Sequence, residues 1–379
     1  YVFSSPEAAE RAFAIALGRS RPAEGENIDL IYARLSHPNA EILEDQVVPL
    51  EPGAQAAAVF NSGMAAISTV FLALCPPGSS FIYTSPIYGG TQHLIHQLLE
   101  PLGLRGIPVM AGDTAALREA IAGAPALRLV LIETPANPTL VMTDIAAAVA
   151  AVGARKEKDK ERAIVAVDNT FLGPVFQHPL ALRADLAIYS ATKYLAGNSD
   201  MLGGVVLGRD PELIGSLRGL RAILGNILQP DECWMLDSRL PTVELRMTRQ
   251  SKNAQRIAEA LAEHPKIERF HYPSLTRDKE QVRIRDLQCR FPGAVFSFEV
   301  KGGKPAAFDF LRRLKIARNA VSLGGVETLA CHPATTTHSE LSRDELTRYG
   351  ITDALVRISI GVEDWRDLLA DFQKALDAL

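Results

Sequence analysis

Short apolar runs alternate with segments of helical length through the first part of the chain. The apolar runs cover residues 56–60, 81–84, 129–133, 163–167, 186–189 and 205–207. Segments with the length and pattern of helices lie between them, at residues 64–74, 91–99 and 145–152. Apolar strands alternating with helices are typical of a mostly parallel sheet covered on both faces. The pattern therefore predicts an α/β fold.

This alternation ends at Pro230. Residues 231–261 contain no glycine and one proline, and they are expected to form a helix that leads to a second domain. Beyond them, residues 295–300, 317–321 and 355–360 resemble strands, and residues 364–379 resemble a terminal helix. We therefore expect a large domain over 46–235, followed by a smaller C-terminal α/β domain over 236–379 that includes the connecting helix.

Composition agrees with two domains and narrows the classes of partner. The chain has 379 residues, of which 47% are hydrophobic, which is enough to bury a sizeable core. Its net charge of −4 is dispersed, so neither a nucleic acid nor an anionic membrane is favoured as a partner. The longest charged run, residues 155–162, mixes both signs and is expected to be a solvated connection.

Cysteine usage and the first residues bear on the cellular compartment. The four cysteines are far apart in the sequence and have neither CxxC nor zinc-ligand spacing, which favours a reducing cytoplasm and no metal site. The start YVFSSPEAAERAF lacks the basic and apolar regions of a signal peptide, and no apolar run approaches the length of a membrane span. We expect a soluble protein whose abrupt start leaves open a missing native N-terminal segment.

Candidate chemistry lies at the ends of two apolar runs. Residues 186–189 lead into Ser190, Thr192 and Lys193. A lysine at the end of a buried strand is desolvated and can form a Schiff base with a carbonyl cofactor, although many such lysines simply reach solvent. Asp168 follows the preceding run, and the carboxyl ends of neighbouring strands meet at one edge of a sheet. An acid for the pyridine nitrogen and a lysine for the aldehyde carbon are what pyridoxal phosphate requires.

Two further segments suit the same cofactor. The run FNSGM around Gly63 follows a strand and opens a helix, whose amides favour a phosphate, although a Ser-Gly pair here is often only a cap. Ser190 and Thr192 offer hydroxyl donors to that phosphate, or are ordinary polar residues at a strand end. Tyr88 follows the next strand and has a flat ring that can stack on a pyridine, or is an ordinary loop tyrosine.

Seven motifs together resemble one enzyme family. NSGMAA, PIYGGT, ETPANPT, VDNT, YSATKYLAG, VSLGG and LVRISIGVED occur in order over nearly the whole chain, as in the Cys/Met-metabolism (trans-sulfuration) pyridoxal-phosphate enzymes. The resemblance implies the aspartate-aminotransferase-like fold, which is fold type I of these enzymes. It also implies a homotetramer built from two tight dimers.

The resemblance assigns roles to the cofactor-binding residues. It makes Lys193 the Schiff-base lysine, Asp168 the partner of the pyridine nitrogen and Tyr88 the stacking ring. Four residues are expected to hold the phosphate: Gly63, Met64, Ser190 and Thr192.

It also implies the residues that meet the substrate and the neighbouring subunit. Asn137 is expected near the cofactor hydroxyl and the substrate carboxylate. Arg357, together with Ser322, is expected to bind that carboxylate, a role that suits a guanidinium fork. Tyr32 and Arg34 correspond to a Tyr-x-Arg that reaches into the neighbouring subunit's site, so residues 1–45 are expected to form an arm.

Positions that differ among family members bear on the substrate. Val321 stands where γ-enzymes that handle cystathionine carry glutamate, and an apolar residue suits the methylthio group of methionine or the thiol of homocysteine. This pattern resembles methionine γ-lyases and homoserine sulfhydrylases. Methionine γ-lyases, however, typically have cysteine at the position of Gly90 and a Lys-Asp pair in segment 219–222, where Arg221 keeps a positive charge without the acid.

The sequence therefore predicts a carbon–sulfur lyase that acts by γ-elimination on methionine or homocysteine and gives a 2-keto acid, ammonia and a thiol. Tyr88 is the expected acid for the leaving group. The alternative is γ-replacement on an O-acylhomoserine, as in a sulfhydrylase or a cystathionine γ-synthase. A non-enzymatic binding protein that retained the fold is a third hypothesis, and the presence of the lysine, the acid, the ring and the phosphate donors argues against it.

Overall fold

A computed structural model describes residues 1–155 and 162–379 of the protein, so most of the charged run 155–162 lies outside the described residues. Its larger sheet contains strands β1 (Ala56–Phe60), β2 (Ser80–Ser85), β3 (Arg105–Met110), β4 (Leu127–Glu133), β5 (Ile164–Asp168), β6 (Leu186–Ser190) and β7 (Gly204–Gly208). The order across the sheet is β1-β7-β6-β5-β4-β2-β3. Strand β7 is antiparallel to both neighbours, and the other pairs are parallel.

Helices cover both faces of this sheet. The helices of this part of the chain are α1 (Pro6–Ala16), α2 (Pro38–Val47), α3 (Gly63–Leu74), α4 (Gly89–Leu94), α5 (Thr114–Gly123), α6 (Ile145–Ala154), α7 (Gly173–Phe176) and α8 (Pro211–Leu224), with a π-helical turn at Ile95–Leu99 and a 3-10 turn at Val48–Leu50. Of these, α1 is mostly exposed, with only Ala12 buried. One apolar layer includes Phe71 of α3 and Phe81 of β2. Another includes Ile121 of α5 and Ile145 of α6. Burial on both faces explains why the strands read as continuous apolar runs.

The second part of the chain surrounds a smaller sheet. It contains α9 (Pro230–Arg239), a 3-10 turn at Leu240–Thr242, α10 (Val243–Leu261), β8 (Ile267–His271), α11 (Lys279–Gln288), β9 (Val295–Val300), α12 (Gly303–Arg313), β10 (Arg318–Asn319), β11 (Leu329–Cys331), a 3-10 turn at Pro333–Thr335, α13 (Arg343–Arg348), β12 (Leu355–Ser359) and α14 (Trp365–Asp377). The strand order is β10-β11-β12-β9-β8. The mixed α/β fold with a large and a small sheet is therefore confirmed.

Some elements differ from the sequence-based expectation. The single helix expected over 231–261 is two helices, because Pro241 lies in a 3-10 turn between α9 and α10. The strand expected over 317–321 is only the two residues of β10. Strand β3 was not predicted, since its sequence contains Gly106 and Pro108 and it pairs only with β2 at the edge of the sheet. The domain boundaries given above stay predictions.

Candidate active site

A cavity of about 360 Å³ lies at the carboxyl ends of β4, β5 and β6, where the smaller domain meets the larger sheet. Ten of the predicted site residues line it: Gly63, Met64, Tyr88, Asn137, Asp168, Ser190, Thr192, Lys193, Val321 and Arg357. An adjoining opening of about 950 Å³ shares Tyr88, Lys193 and Val321 with this cavity and includes Ser322. Residues from distant parts of the sequence thus converge where a parallel sheet is expected to carry its chemistry.

Lys193 is held at the centre of this group. Its Nζ donates a hydrogen bond to Ser322 Oγ at 2.9 Å. Burial, and secondarily the charge of Arg357, lowers the pKa of Lys193 to about 8. Gly324 has a φ of +78°, and a Cβ there would lie 2.8 Å from Tyr194 N and 3.2 Å from Lys193 Cβ. Only glycine fits that approach, so the VSLGG segment packs directly on the backbone of the lysine.

The N-terminus of α3 forms an anion-binding wall of the cavity. Ser62 Oγ caps the helix by accepting a hydrogen bond from Ala65 N–H at 3.0 Å. The N–H groups of Gly63 and Met64, in the first helical turn, have no carbonyl acceptor within the helix. A Cβ on Gly63 would lie 2.9 Å from Ser190 Cβ, so glycine lets the helix end approach this strand end closely. Amides and the Ser190 hydroxyl therefore face one small space that suits a phosphate.

Two other cofactor candidates have defined hydrogen bonds. Thr192 Oγ1 accepts a hydrogen bond from Gly203 N–H at 3.1 Å, which holds this hydroxyl at the cavity wall. The hydroxyl of Thr170 donates to Asp168 Oδ1 at 2.6 Å, and the N–H of Thr170 donates to the same oxygen at 3.1 Å. Loss of hydration raises the pKa of Asp168 above its ordinary value. A cation bound against this carboxylate would offset that cost.

Arg357 lines the cavity from β12 of the smaller sheet and is only 2% exposed. Its Nη1 donates to Asn137 Oδ1 at 2.9 Å, and its Nη2 donates to the carbonyl oxygen of Val321 at 2.8 Å. These bonds fix the plane of the guanidinium, which still has donors for a carboxylate ligand. The Val321 side chain is 56% exposed and lines both the cavity and the adjoining opening.

Sequence reasoning missed two buried groups at this site. Glu133 ends β4 and accepts hydrogen bonds from the N–H groups of Tyr88 and Asn137, and burial raises its pKa to about 8. A carboxyl at a strand end is the signal that identified Asp168, so it was available for Glu133 as well. His338 is buried beside the opening, where burial lowers its pKa to about 4, and no sequence pattern indicated it.

Tyr32 and Arg34 do not reach this cavity within one chain. They line a separate recess together with His37, Gly225 and Pro230, and the Arg34 guanidinium donates to the carbonyl of Ala222. Arg221 is also elsewhere: its buried side chain pairs with Glu44 of α2 at 2.6 Å. Its charge, which the sequence comparison noted in segment 219–222, therefore holds α8 to α2.

These groups fit pyridoxal phosphate. The α3 end and the Ser190 hydroxyl suit its phosphate, the Asp168 carboxylate suits its pyridinium nitrogen, and an amine with a pKa near 8 suits its aldehyde. The half-exposed ring of Tyr88 lies on the wall of the same cavity.

Comparison with known proteins gives the same result. Residues 8–377 match the model of the family described as Cys/Met metabolism PLP-dependent enzyme. The L-methionine gamma-lyase of Pseudomonas putida is 40% identical over 93% of this chain and 87% of its own length. The cystathionine gamma-lyase of Bacillus subtilis is 36% identical over 94% of this chain and 91% of its own length.

A solved structure agrees with the fold as well. The cystathionine gamma-lyase from Lactobacillus plantarum, complexed with L-serine, superposes with a TM-score of 0.86 at 35% identity, covering 94% of this chain and 91% of that chain. The fold is thus fold type I, the aspartate-aminotransferase-like fold, and the cofactor is pyridoxal phosphate. The chain belongs to the family of Cys/Met-metabolism pyridoxal-phosphate enzymes.

Proposed function

We propose that this enzyme cleaves the γ carbon–sulfur bond of methionine or homocysteine, with water, to a 2-keto acid, ammonia and a thiol. The observation that carries the proposal is the convergence of the Lys193 amine, the Asp168 carboxyl and the Arg357 guanidinium on one cavity of about 360 Å³. Relatives named L-methionine gamma-lyase, at 34–40% identity, support this reaction class.

Each residue of the site has a role that follows from its position in the cavity. Bound pyridoxal phosphate supplies an electron sink at the substrate amino group, with Asp168 as partner of its ring nitrogen and with Gly63, Met64, Ser190 and Thr192 around its phosphate. Arg357 and Asn137 orient the substrate carboxylate, with Ser322 beside them. Lys193 Nζ takes the proton from the substrate Cα and moves further protons along the chain of the amino acid. The Tyr88 hydroxyl gives a proton to the leaving sulfur.

Val321 selects the distal end of the substrate in this proposal. Its carbonyl is held by Arg357, so its exposed side chain has a fixed place at the junction of the two cavities. A methylthio group or a thiol tolerates this apolar neighbour. A distal ammonium, as in cystathionine, gains no partner from it and loses part of its hydration.

The second candidate is γ-replacement on an O-acylhomoserine, in which sulfide or a thiol adds instead of water. The observation in its favour is Gly90, which stands where methionine γ-lyases typically carry cysteine. A Cβ at Gly90 would lie 2.7 Å from Tyr88 Cε1 and 3.1 Å from Met64 Sδ. A cysteine would therefore displace the Tyr88 ring, so the wall beside this ring differs from that of a cysteine-bearing site.

We further propose a cytoplasmic homotetramer in which residues 1–45 act as an arm that carries Tyr32 and Arg34 to the partner's site. Tyr32 is 57% exposed in the single chain, and Ile223 and Trp234 are exposed apolar side chains on nearby helices. Such surface is usual where a second copy binds. Among the described residues, no helix is long and apolar enough to span a membrane.

A substrate panel tests the proposal. The purified enzyme is incubated separately with methionine, homocysteine, cystathionine, and O-acetylhomoserine plus sulfide, and the 2-keto acid is measured beside the new thiol or thioether. We expect the 2-keto acid in equal amounts with methanethiol from methionine, or with hydrogen sulfide from homocysteine. Thiol formed from O-acetylhomoserine without keto acid would replace the proposal by γ-replacement. A yellow protein that converts none of these compounds would contradict both reactions.

A further inference from the structure

Glu133 is a buried carboxyl of the site to which the proposed reaction assigns no role. It is 4% exposed, lines the cavity and ends β4 directly beside Asp168, its register partner on β5. Placing a carboxyl there is costly unless it is well bonded. Its hydrogen bonds therefore indicate what it contributes.

Both oxygens of this carboxyl are used by backbone donors from two separate loops. Oε2 accepts from the N–H of Tyr88 at 2.8 Å, and Oε1 accepts from the N–H of Asn137 at 3.1 Å. The first loop follows β2 and carries the candidate stacking ring. The second follows β4, and its Asn137 Oδ1 accepts a hydrogen bond from Arg357. One side chain thus joins the loop that carries Tyr88 to the loop that carries Asn137, the partner of Arg357.

The backbone of Glu133 is itself held by a neighbouring strand of the sheet. Its own N–H donates to Thr84 Oγ1 at 2.9 Å, and Thr84 belongs to β2, the strand that leads to the Tyr88 loop. The carboxyl is therefore fixed between the two strands whose loops it joins. Each oxygen of a carboxyl group can accept one of these N–H bonds, whereas an amide offers one oxygen and turns an NH₂ donor toward the other N–H.

We propose that Glu133 is a positioning residue, whose carboxyl group sets the Tyr88 loop and the Asn137–Arg357 pair at a fixed separation in the cavity. The inference rests on the proposed function for its substrate, since an amino acid would lie in the cavity that these groups line. Catalysis depends on such spacing, because small displacements of a bound substrate lower the rate strongly.

The test compares Glu133→Gln and Glu133→Ala with Glu51→Gln. Glu51 is a matched control, because it is equally buried and also uses both oxygens, accepting from Leu180 N–H and from the Tyr189 hydroxyl, but it does not line the cavity. Each protein is loaded with pyridoxal phosphate and titrated with glycine, which has the amino and carboxylate groups of a substrate but no γ substituent. Visible absorbance gives the glycine Kd, visible circular dichroism reports the setting of the bound ring, and melting temperature reports stability.

We expect Glu133→Gln to keep its colour, to change the visible circular dichroism and to weaken glycine binding by roughly tenfold, with Glu133→Ala weaker still, by up to roughly a hundredfold. With substrate, KM should rise and kcat should fall in both variants. Glu51→Gln should lower the melting temperature and leave the glycine Kd within about twofold of wild type.

Two results would overturn the inference: a Glu133→Gln protein with wild-type glycine Kd and circular dichroism, or a Glu51→Gln protein that shows the same losses as Glu133→Gln. If Glu133→Ala does not fold, the Gln variant still decides the matter. A wild-type enzyme that binds glycine but forms no keto acid from sulfur amino acids would contradict the proposed function, while the Glu133 comparison would still stand or fall on glycine binding.

Discussion

The lowered pKa of Lys193 predicts how the rate of cofactor uptake depends on pH. Only the neutral amine attacks an aldehyde, so apoprotein mixed with pyridoxal phosphate should turn yellow at a rate that follows the neutral fraction of this lysine. Since burial and the charge of Arg357 lower the pKa to about 8, we expect the rate to rise as pH increases toward 8 and to level off above it.

The size of the effect follows from the two pKa values. At pH 7 a lysine with a pKa of about 8 is neutral in roughly one molecule in eleven, whereas one at the ordinary value of 10.5 is neutral in roughly one in three thousand. Uptake at pH 7 should therefore be about 300-fold faster than for an unperturbed lysine of the same reactivity. Arg357→Gln removes a repelling charge, so it should raise the pKa of Lys193 and move the rate profile to higher pH.

The assay follows visible absorbance after mixing apoprotein with cofactor by stopped flow, from about pH 6 to pH 10. Lys193→Ala is the control, because any absorbance change it shows reports the cofactor's own ionisations and noncovalent binding. A wild-type rate that keeps rising tenfold per pH unit beyond about pH 9 would refute the reasoning, since it would mean that the amine titrates as an ordinary lysine.

Three other predictions concern individual side chains. Asp168→Asn should bind pyridoxal phosphate but lose most activity, because an amide does not keep the ring nitrogen protonated; steady-state activity within about tenfold of wild type, or roughly 1.4 kcal/mol, would contradict its role. Val321→Glu should shift relative kcat/KM toward cystathionine by roughly ten- to a hundredfold, on the scale of one charge-assisted hydrogen bond, and an active variant with unchanged preference would assign the distal group to another residue. Mixing inactive Lys193→Ala with inactive Arg34→Ala should restore some activity in hybrid dimers, whereas no recovery despite measured subunit exchange would remove Arg34 from the partner's site.

The strands of the large sheet that are buried on both faces were predictable from sequence, because burial leaves a continuous apolar run such as that of β4 or β6. Strand β3 was not, since it lies at the sheet edge and its middle contains glycine and proline. The short β10 shows the converse: a strand was expected over residues 317–321, but only Arg318 and Asn319 pair with β11. The position of a strand at the sheet edge and the identity of its pairing partner depend on tertiary structure, which a local sequence pattern does not contain.

In the candidate site too, some residues could be predicted from the sequence and others could not. Lys193 and Asp168 were found because each follows an apolar run, and a strand end is a position that sequence does specify. Glu133 carries the same signal, but its importance appears only when its two oxygens are seen to join loops 88 and 137. Arg221 shows a different limit: matching by position noted its positive charge, but not its ion-pair partner Glu44, which lies on a helix far earlier in the chain.

The antiparallel strand β7 has a consequence for how the site assembles. After β2, β4 and β5 the chain leaves the sheet edge through helical segments before the next strand, so Glu133 and Asp168 become neighbours only when crossover connections close. After β6 the chain returns as the antiparallel strand β7, pairing Ser190 with Gly204, and the loop 191–203 between them, which includes the turn at Lys193, is closed by residues near in sequence. Short-range closure costs less chain entropy than a crossover. The turn at Lys193 can therefore form from local contacts, whereas Asp168 reaches its place only when the strands of the large sheet have paired.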